Sequence, residues 1–234
     1  MSYDDKKTVD KDSLDKYLNE VGKAYRKLGG KNTPAEMILI GGASVLINYG
    51  FRDTTTDIDA LINAASTMKE AITVVGDQNG LPHNWLNADF MRTKSYSSRL
   101  VQFSRYYKTF ANVLSVRTVA GEYLVAMKLR SGRKYKFDLS DVIGIVNWHQ
   151  KNSDPITLER IKQAATELYG SWDELPEFSK VFAEKLFDGE NYESVYFAVA
   201  EQEKQNRDEL VRTEWKDSQI ISEENASDIL KRLK

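Results

Sequence analysis

The sequence predicts an α+β fold followed by a helical C-terminal region. Strand-like segments gather in the first half of the chain, whereas helical spacing of apolar residues fills the second half. Of the 234 residues, 41% are hydrophobic, so the chain can bury a sizeable core. Glycine and proline are sparse, which excludes collagen-like and low-complexity classes.

The elements of the first half follow from capping residues, glycine breaks and the period of the apolar residues. Asp12 or Ser13 can cap a first helix, and Gly29-Gly30 ends it. Continuous or alternating apolar residues predict strands. The predicted order is a helix to about Leu28, a strand over 36–40, a helix over 43–49, a strand over 56–62, a helix over 66–75, strands over 100–103 and 112–117, and helices over 122–130 and 138–150.

The character of the sequence changes at Asp154-Pro155, a pair typical of a helix start. We therefore divide the chain into a first domain over residues 1–150 and a helical C-terminal region over residues 151–234. The stretch from Glu201 to Glu209 is dense in charged residues and is expected to be an exposed helix. The helices predicted in this region lie over 156–169, 176–187, about 191–211 and about 223–233.

Composition narrows the classes of function. The 33 basic and 35 acidic residues give a net charge of -2, which neither indicates nor excludes nucleic acid. The absence of cysteine excludes disulfides and thiol chemistry, and the two histidines argue against a zinc site. The N-terminus has no apolar leader and no apolar run is long enough to cross a membrane, so we expect a soluble, cytoplasmic protein with no membrane partner.

The most informative segment joins a glycine pair to two aspartates. Gly41-Gly42 follows an apolar run, and Asp57-Ile58-Asp59 lies in the second predicted strand. Residues i and i+2 of a strand share a face, about 7 Å apart, so Asp57 and Asp59 would point the same way with Ile58 in the core. Aspartate is disfavoured in strands, so two within three residues need a reason. Two carboxylates beside a glycine turn predict a site for a divalent cation and a phosphate.

The residues around this pair suit a bound triphosphate. Backbone N–H groups of Gly41-Gly42 can approach phosphate without an intervening β-carbon, and the following helix N-terminus favours negative charge. Ser44 could add a hydroxyl to this cradle or could simply belong to the first helical turn. Arg52 is placed to contact phosphate or to brace an aspartate.

These residues carry a resemblance to a known family. Gly41-Gly42, a short helix and then Arg-x-Thr-x-Thr-Asp-Ile-Asp over 52–59 resemble the AbiEii-type branch of the DNA polymerase β-like nucleotidyltransferase superfamily, which includes abortive-infection and MenT-type toxins. The segment 122–130, then Gly132-Arg133 and residues 138–142, is similar to the lysine helix of the same branch and the element after it. The resemblance covers roughly residues 36–146. It implies a nucleotidyltransferase-type mixed β-sheet with flanking helices, so residues 1–150 would form a nucleotidyltransferase-like domain.

The resemblance implies transfer of a nucleoside monophosphate from an NTP to an acceptor hydroxyl, with two Mg²⁺ ions. Asp57 and Asp59 would bind the metal ions, and Lys128 would contact phosphate. An aspartate after the lysine helix takes a functional place in this branch. Asp138 matches it best, and Asp141, three residues on, shares roughly the same helix face and is the alternative.

Further implied residues and partners concern the triphosphate and the acceptor. Gly41, Gly42 and Ser44 would hold the triphosphate. A basic stretch near this site could guide a nucleic-acid acceptor through phosphate contacts, or could be a solvated loop. The acceptor could be RNA, which for toxin-like members is a tRNA end, a protein side chain or a small molecule. The implied protein partner of toxin-like members is a cognate antitoxin. The basic stretch consists of Lys128, Arg130, Arg133, Lys134 and Lys136.

Each signal also has an ordinary structural interpretation. Asp57 and Asp59 could be solvated residues of an edge strand, Lys128 could lie on a solvated helix face, and Asp138 could be a helix N-cap. The alternative function is a catalytically degenerate nucleotidyltransferase fold that binds a nucleotide or a partner. The absence of an acid in strand 112–117 and of a clear general base favours this alternative, whereas the two aspartates and Lys128 favour an enzyme.

Overall fold

The computed structural model describes residues 8–133, 136–189 and 191–220, with the backbone alone for 211–220. Within these ranges it confirms the α+β fold. The strands are β1 (Ala35–Leu39), β2 (Ile58–Asn63), β3 (Leu86–Asn87), β4 (Ser104–Phe110) and β5 (Leu114–Val119). The helices are α1 (Lys11–Lys27), α2 (Gly41–Asn48), α3 (Thr67–Asn79), α4 (Gly121–Ser131), α5 (Asp138–Lys151), α6 (Leu158–Tyr169), α7 (Glu177–Phe187) and α8 (Tyr192–Ile220). No helix in the described ranges has both the length and the apolar character needed to cross a membrane.

The strands form one mixed sheet in the order β3-β2-β1-β5-β4. β1 pairs with β2 antiparallel and with β5 parallel, whereas β2 pairs with β3 parallel and β4 with β5 antiparallel. The register sets Leu39 opposite Ala60, and the backbone N–H of Ile40 donates to the carbonyl oxygen of Asp59 at 2.8 Å. This pairing brings the end of β1 beside the start of β2.

The sheet separates two hydrophobic clusters because successive strand side chains point to opposite faces. From β1, Met37 and Leu39 belong to the cluster that also contains residues of α1 and α3. Ile38 and Ile40 belong to the second cluster, which residues of α4 to α7 complete. Burial on both faces explains why this strand is a continuous apolar run rather than an alternating one.

The C-terminal helices share the second cluster with the helices that precede them. Ile161 and Ala165 of α6 are fully buried in the cluster that contains Val142 and Ile143 of α5. The division of the chain at residue 150 therefore remains a prediction, since packing crosses it.

Some predicted elements need correction. Residues 100–103 do not form a strand, because Ser98–Phe103 is a 3-10 segment begun by the Ser97 hydroxyl, which accepts the N–H of Arg99. The first helix is capped by Asp10, whose carboxylate accepts the N–H of Ser13, and not by Asp12 or Ser13. The helix predicted over 223–233 lies outside the described residues.

Candidate active site

A cleft of about 290 Å³ opens where the ends of the paired strands β1 and β2 face α4 and the start of α5. Gly41, Asp57 and Asp59 lie on the sheet side of this cleft, and Lys128 and Arg133 lie across it. The cleft therefore places carboxylates and cations around one space.

The glycine turn and the second aspartate of the pair are in contact distance of each other. Gly41 has φ +54°, in the left-handed region that favours glycine, and it is the first residue of α2. A β-carbon on Gly41 would stand 3.7 Å from Oδ2 of Asp59. The hydrogen bond between Ile40 and Asp59 fixes this approach, because it locks the strand ends on either side. The start of α2 and a carboxylate thus share one wall.

The carboxylates of Asp57 and Asp59 face the same cleft, as their spacing predicts. Ile58 between them is fully buried, so the two neighbours point away from the core. Burial, and then the charge of Asp57, raise the pKa of Asp59, while Lys136, Arg133 and Lys128 lower it in part. The ionised pair repels itself, so a bound cation would relieve a real electrostatic cost.

Lys128 lies in α4 with only 8% of its surface exposed. Its Nζ donates to Oδ1 of Asp138 at 2.9 Å and lies 2.7 Å from Oδ2 of Asp141. Burial alone would lower the pKa of Lys128, but the two carboxylates raise it, so the ammonium stays charged. Asp138 and Asp141 reach the same ammonium because i and i+3 share a helix face.

Two arginines complete this ionic cluster. The Arg133 guanidinium donates to both oxygens of Asp138, from Nε at 2.9 Å and from Nη2 at 3.3 Å. Nη1 of Arg52 donates to Oδ2 of Asp141 at 2.7 Å. Of the two roles predicted for Arg52, this contact corresponds to bracing an aspartate. Burial raises the pKa of Asp138, but Lys128 and Arg133 overcome this and lower it to about 2. Three cations meet two carboxylates, which leaves a positive excess beside the cleft.

A comparison with known families shows the family of the chain. A model of the DUF6036 family, described as nucleotidyltransferases of unknown function, matches residues 16–175. The chain belongs to this nucleotidyltransferase family. No curated protein and no solved structure matches the chain significantly. The family match supports the nucleotidyltransferase part of the predicted resemblance at the level of the family, and not the AbiEii or MenT subtype.

The role of Asp138, or of Asp141, as a third metal ligand stays a prediction. Asp138 lines the same cleft as Asp57 and Asp59, whereas Asp141 does not line it, and no group of three or more Asp, Glu, His or Cys side chains in the described part of the chain could hold a metal ion. Asp138 and Asp141 are already paired with cations of the ionic cluster. Asp138 is not the N-cap of α5 either, since Phe137 occupies that position.

Ser44 and Gly42, two of the predicted triphosphate ligands, have structural roles in the fold. Ser44 is fully buried, and its hydroxyl accepts the N–H of Val119 at 3.2 Å, so it ties α2 to the end of β5. A β-carbon on Gly42 would come within 2.7 Å of Oγ1 of Thr55 and 3.1 Å of Nη2 of Arg52. Gly42 therefore makes room for neighbouring side chains. Of Gly41, Gly42 and Ser44, which are all in the described part of the chain, only Gly41 lines the cleft.

The remaining wall of the cleft was not predicted. The loop on either side of β3 contributes amide and hydroxyl groups and the carboxylate of Asp89, and Phe90 with Met127 contributes apolar surface. The only available signal was the polar character of a loop that also contains a buried tryptophan, Trp85. The polar lining residues of this loop are Asn84, Asn87, Asp89, Thr93 and Ser95.

The basic stretch is only partly free to meet an acceptor. Arg130 donates to Glu174 at 3.1 Å, and Lys128 and Arg133 belong to the ionic cluster. Lys136 is exposed and lines the cleft. Lys134 lies outside the described residues.

Proposed function

We propose that this chain transfers a nucleoside monophosphate from a Mg²⁺-bound NTP to an acceptor hydroxyl. The acceptor oxygen forms a bond to the α-phosphorus, and the bond from that phosphorus to the bridging oxygen of the β-phosphate breaks. Pyrophosphate leaves, and the proton of the acceptor hydroxyl passes to solvent. The family match supports the reaction class.

One observation carries the proposal: the carboxylates of Asp57 and Asp59 share a cleft with Gly41 at the start of α2. The glycine leaves space for a phosphate to approach the backbone, and the helix N-terminus favours its charge. The two carboxylates suit a hard cation that also binds phosphate oxygens. A surface edge strand with solvated aspartates would not require the left-handed glycine opposite them.

The carboxylate pair fits Mg²⁺. Its oxygens are the ligands that this ion prefers, and burial and then the charge of Asp57 raise the pKa of Asp59, so a bound cation would favour its ionised form. When bound by Asp57 and Asp59, Mg²⁺ would supply the charge that neutralises the triphosphate. Only these two side chains are assigned to it, since Asp138 is held in the ionic cluster.

The cationic side of the cleft suits the departing pyrophosphate. Two carboxylates hold the ammonium group of Lys128, so its position is fixed before any ligand binds. Arg133 and Lys136 extend this charge along the cleft beside Asp59. We assign the β- and γ-phosphates to this side and the nucleoside to the apolar and amide-bearing wall around Phe90.

We propose RNA, including a tRNA end, as the first acceptor to test, as in toxin-like members of the resembled branch. Arg133 and Lys136 support it because they line the cleft and could contact backbone phosphates. If they do, transfer to RNA weakens steeply with salt.

A specific observation favours a second candidate, a nucleotide-binding module without catalysis. Asp138 lines the cleft, but Lys128 and Arg133 already pair with it, and Asp141 pairs with Lys128 and Arg52, so the expected third carboxylate is engaged by cations. Such a site could bind Mg²⁺ and NTP and yet hold the reacting groups poorly.

The test incubates the protein with each of the four α-labelled NTPs, Mg²⁺ and total cellular RNA. Label in RNA or in protein supports transfer and names the acceptor class. Mg²⁺-dependent NTP binding without transferred label supports the binding module. Absence of both binding and transfer overturns the proposed function. The Asp57→Ala/Asp59→Ala variant serves as the matched control in every arm.

A further inference from the structure

The C-terminal helix places a buried carboxylate at the start of α5. Glu203 lies in α8 and is only 3% exposed, and it is the buried exception in the stretch from Glu201 to Glu209, which is otherwise a mostly exposed helix as predicted. Its Oε1 accepts the N–H of Leu139 at 2.8 Å, and its Oε2 accepts the hydroxyl of Ser140 at 2.6 Å and the N–H of Ser140 at 3.3 Å. One side chain therefore engages three donors of one helical turn.

These contacts solve a local problem of α5. The first N–H groups of any helix lack partners within the helix, and a short polar residue at the N-cap usually accepts one of them. Phe137 stands at this N-cap and has no acceptor in its side chain. Glu203 supplies the missing acceptor from a helix more than sixty residues further along the chain.

The turn that Glu203 holds is also the turn that carries the ionic cluster. Asp138 directly precedes Leu139, and Asp141 directly follows Ser140. Both carboxylates hold Lys128 at the cleft, so a shift of this turn would move the lysine.

A second contact ties α8 to the same corner. The ring of Phe137 contacts two guanidinium groups, those of Arg52 and Arg207, whose central carbons lie 5.6 Å and 5.3 Å from its centroid. Arg52 belongs to the ionic cluster through Asp141, and Arg207 lies one turn after Glu203 on α8. Two residues of α8 thus converge on the start of α5.

We propose that Glu203 is a positioning residue of the candidate active site, and that α8 is required to hold Lys128 in its place across from Asp57 and Asp59. The inference rests on the proposed function for its effect on activity. It goes beyond the family, because the family match ends at residue 175. Glu203 does not reach the cleft and acts only through the turn it holds.

The test compares Glu203→Ala with Glu201→Ala, which removes the same type of side chain from an exposed position of the same helix. Acetic anhydride labelling of Lys128, quantified by mass spectrometry, reports its protection without any need for activity, and exposed Lys108 serves as the internal standard. We expect Lys128 labelling to rise about tenfold in Glu203→Ala, together with faster amide exchange at Leu139 and Ser140. Glu201→Ala should match the native protein.

Activity is measured on the same variants. We expect kcat of Glu203→Ala to fall about 10- to 100-fold, with a smaller change in KM, because displaced catalytic groups slow the chemical step more than binding. Glu203→Gln keeps one acceptor oxygen, so it should lie between the native protein and Glu203→Ala in all three measurements.

The outcomes separate this inference from the proposed function. A native protein that neither binds nor transfers NTP contradicts the proposed function, while labelling and exchange still decide the role of Glu203. Unchanged Lys128 labelling and amide exchange in Glu203→Ala, or equal changes in Glu201→Ala, overturn the inference. If Glu203→Ala does not fold, Glu203→Gln replaces it. Unchanged Lys128 labelling and amide exchange in Glu203→Gln, or equal changes in Glu201→Ala, then overturn the inference.

Discussion

A β-carbon placed on Gly41 would lie 3.7 Å from Oδ2 of Asp59, so the first residue of α2 and this carboxylate form one wall of the cleft. The relationship depends on the antiparallel pairing of β1 with β2, which sets Ile40 beside Asp59. A phosphate that approached the start of α2 would therefore also approach the carboxylate pair, as a shared Mg²⁺ would require.

The first prediction concerns Gly41→Ala. The left-handed φ of +54° makes any β-carbon unfavourable, so we expect a loss of about 1–2 kcal/mol in the free energy of unfolding. The added methyl also fills the phosphate approach, so Mg²⁺-NTP affinity should fall at least about tenfold. Gly50→Ala is the control, since nothing lies within 4 Å of a β-carbon built there. Equal affinities for the two variants would show that Gly41 does not face the ligand.

The second prediction concerns Asp59→Asn, which should stabilise the fold while removing function. Burial and the charge of Asp57 raise the pKa of Asp59, so its ionised form is unfavourable in the absence of a cation. We expect a melting temperature higher by roughly 2–4 °C without Mg²⁺, together with loss of Mg²⁺-dependent binding. Exposed Asp53→Asn should change neither. A lower melting temperature for Asp59→Asn would mean that the carboxylate serves the fold.

The third prediction concerns Lys128→Met. The substitution leaves Asp138 and Asp141 buried without this cation, so unfolding should become about 3–5 kcal/mol easier in urea titrations. Lys108→Met removes an exposed partner of Asp15 and should cost no more than about 1 kcal/mol. Similar costs for both lysines would contradict the tight ionic cluster described above.

The fourth prediction concerns the pH dependence of stability. Burial raises the pKa of Glu203 from 4.5 to about 7, and the hydrogen bonds from Ser140 and Leu139 offset this only in part. A raised pKa means that the stabilising contribution is complete below pH 4.5 and is lost as the pH rises through about 7. Glu203→Gln does not titrate, so the native protein should lose stability relative to it over this interval. If urea unfolding gives the same difference in free energy of unfolding between the native protein and Glu203→Gln at every pH, the raised pKa of Glu203 is contradicted.

Much of the fold and one half of the site could be predicted from local pattern. The apolar run of β1, the glycine turn and the spacing of Asp57 and Asp59 are short-range signals, and they locate the acidic wall correctly. The alternation over 100–103 misled because Leu100 is buried while Val101 is 47% exposed within a 3-10 segment. Alternation over four residues cannot distinguish that segment from a strand.

The other half of the site depends on contacts that the sequence does not encode locally. The spacing of Asp138 and Asp141 predicts a shared helix face. It does not predict whether a metal ion or a lysine pairs with the two carboxylates, because either can neutralise their charge. The packing of α4 against α5 in the folded protein makes Lys128 the partner of both carboxylates. Likewise, nothing near Glu203 in the sequence indicates that its partner is a helix start at Leu139.

The central claim is that Asp57 and Asp59 together bind the cation that holds an NTP against Gly41. Calorimetric titration of NTP, with and without Mg²⁺, into the native protein and into folded Asp57→Ala/Asp59→Ala tests it most directly. We predict Mg²⁺-dependent binding by the native protein and its loss in the variant. Binding by the variant with unchanged affinity and unchanged dependence on Mg²⁺ would contradict the claim.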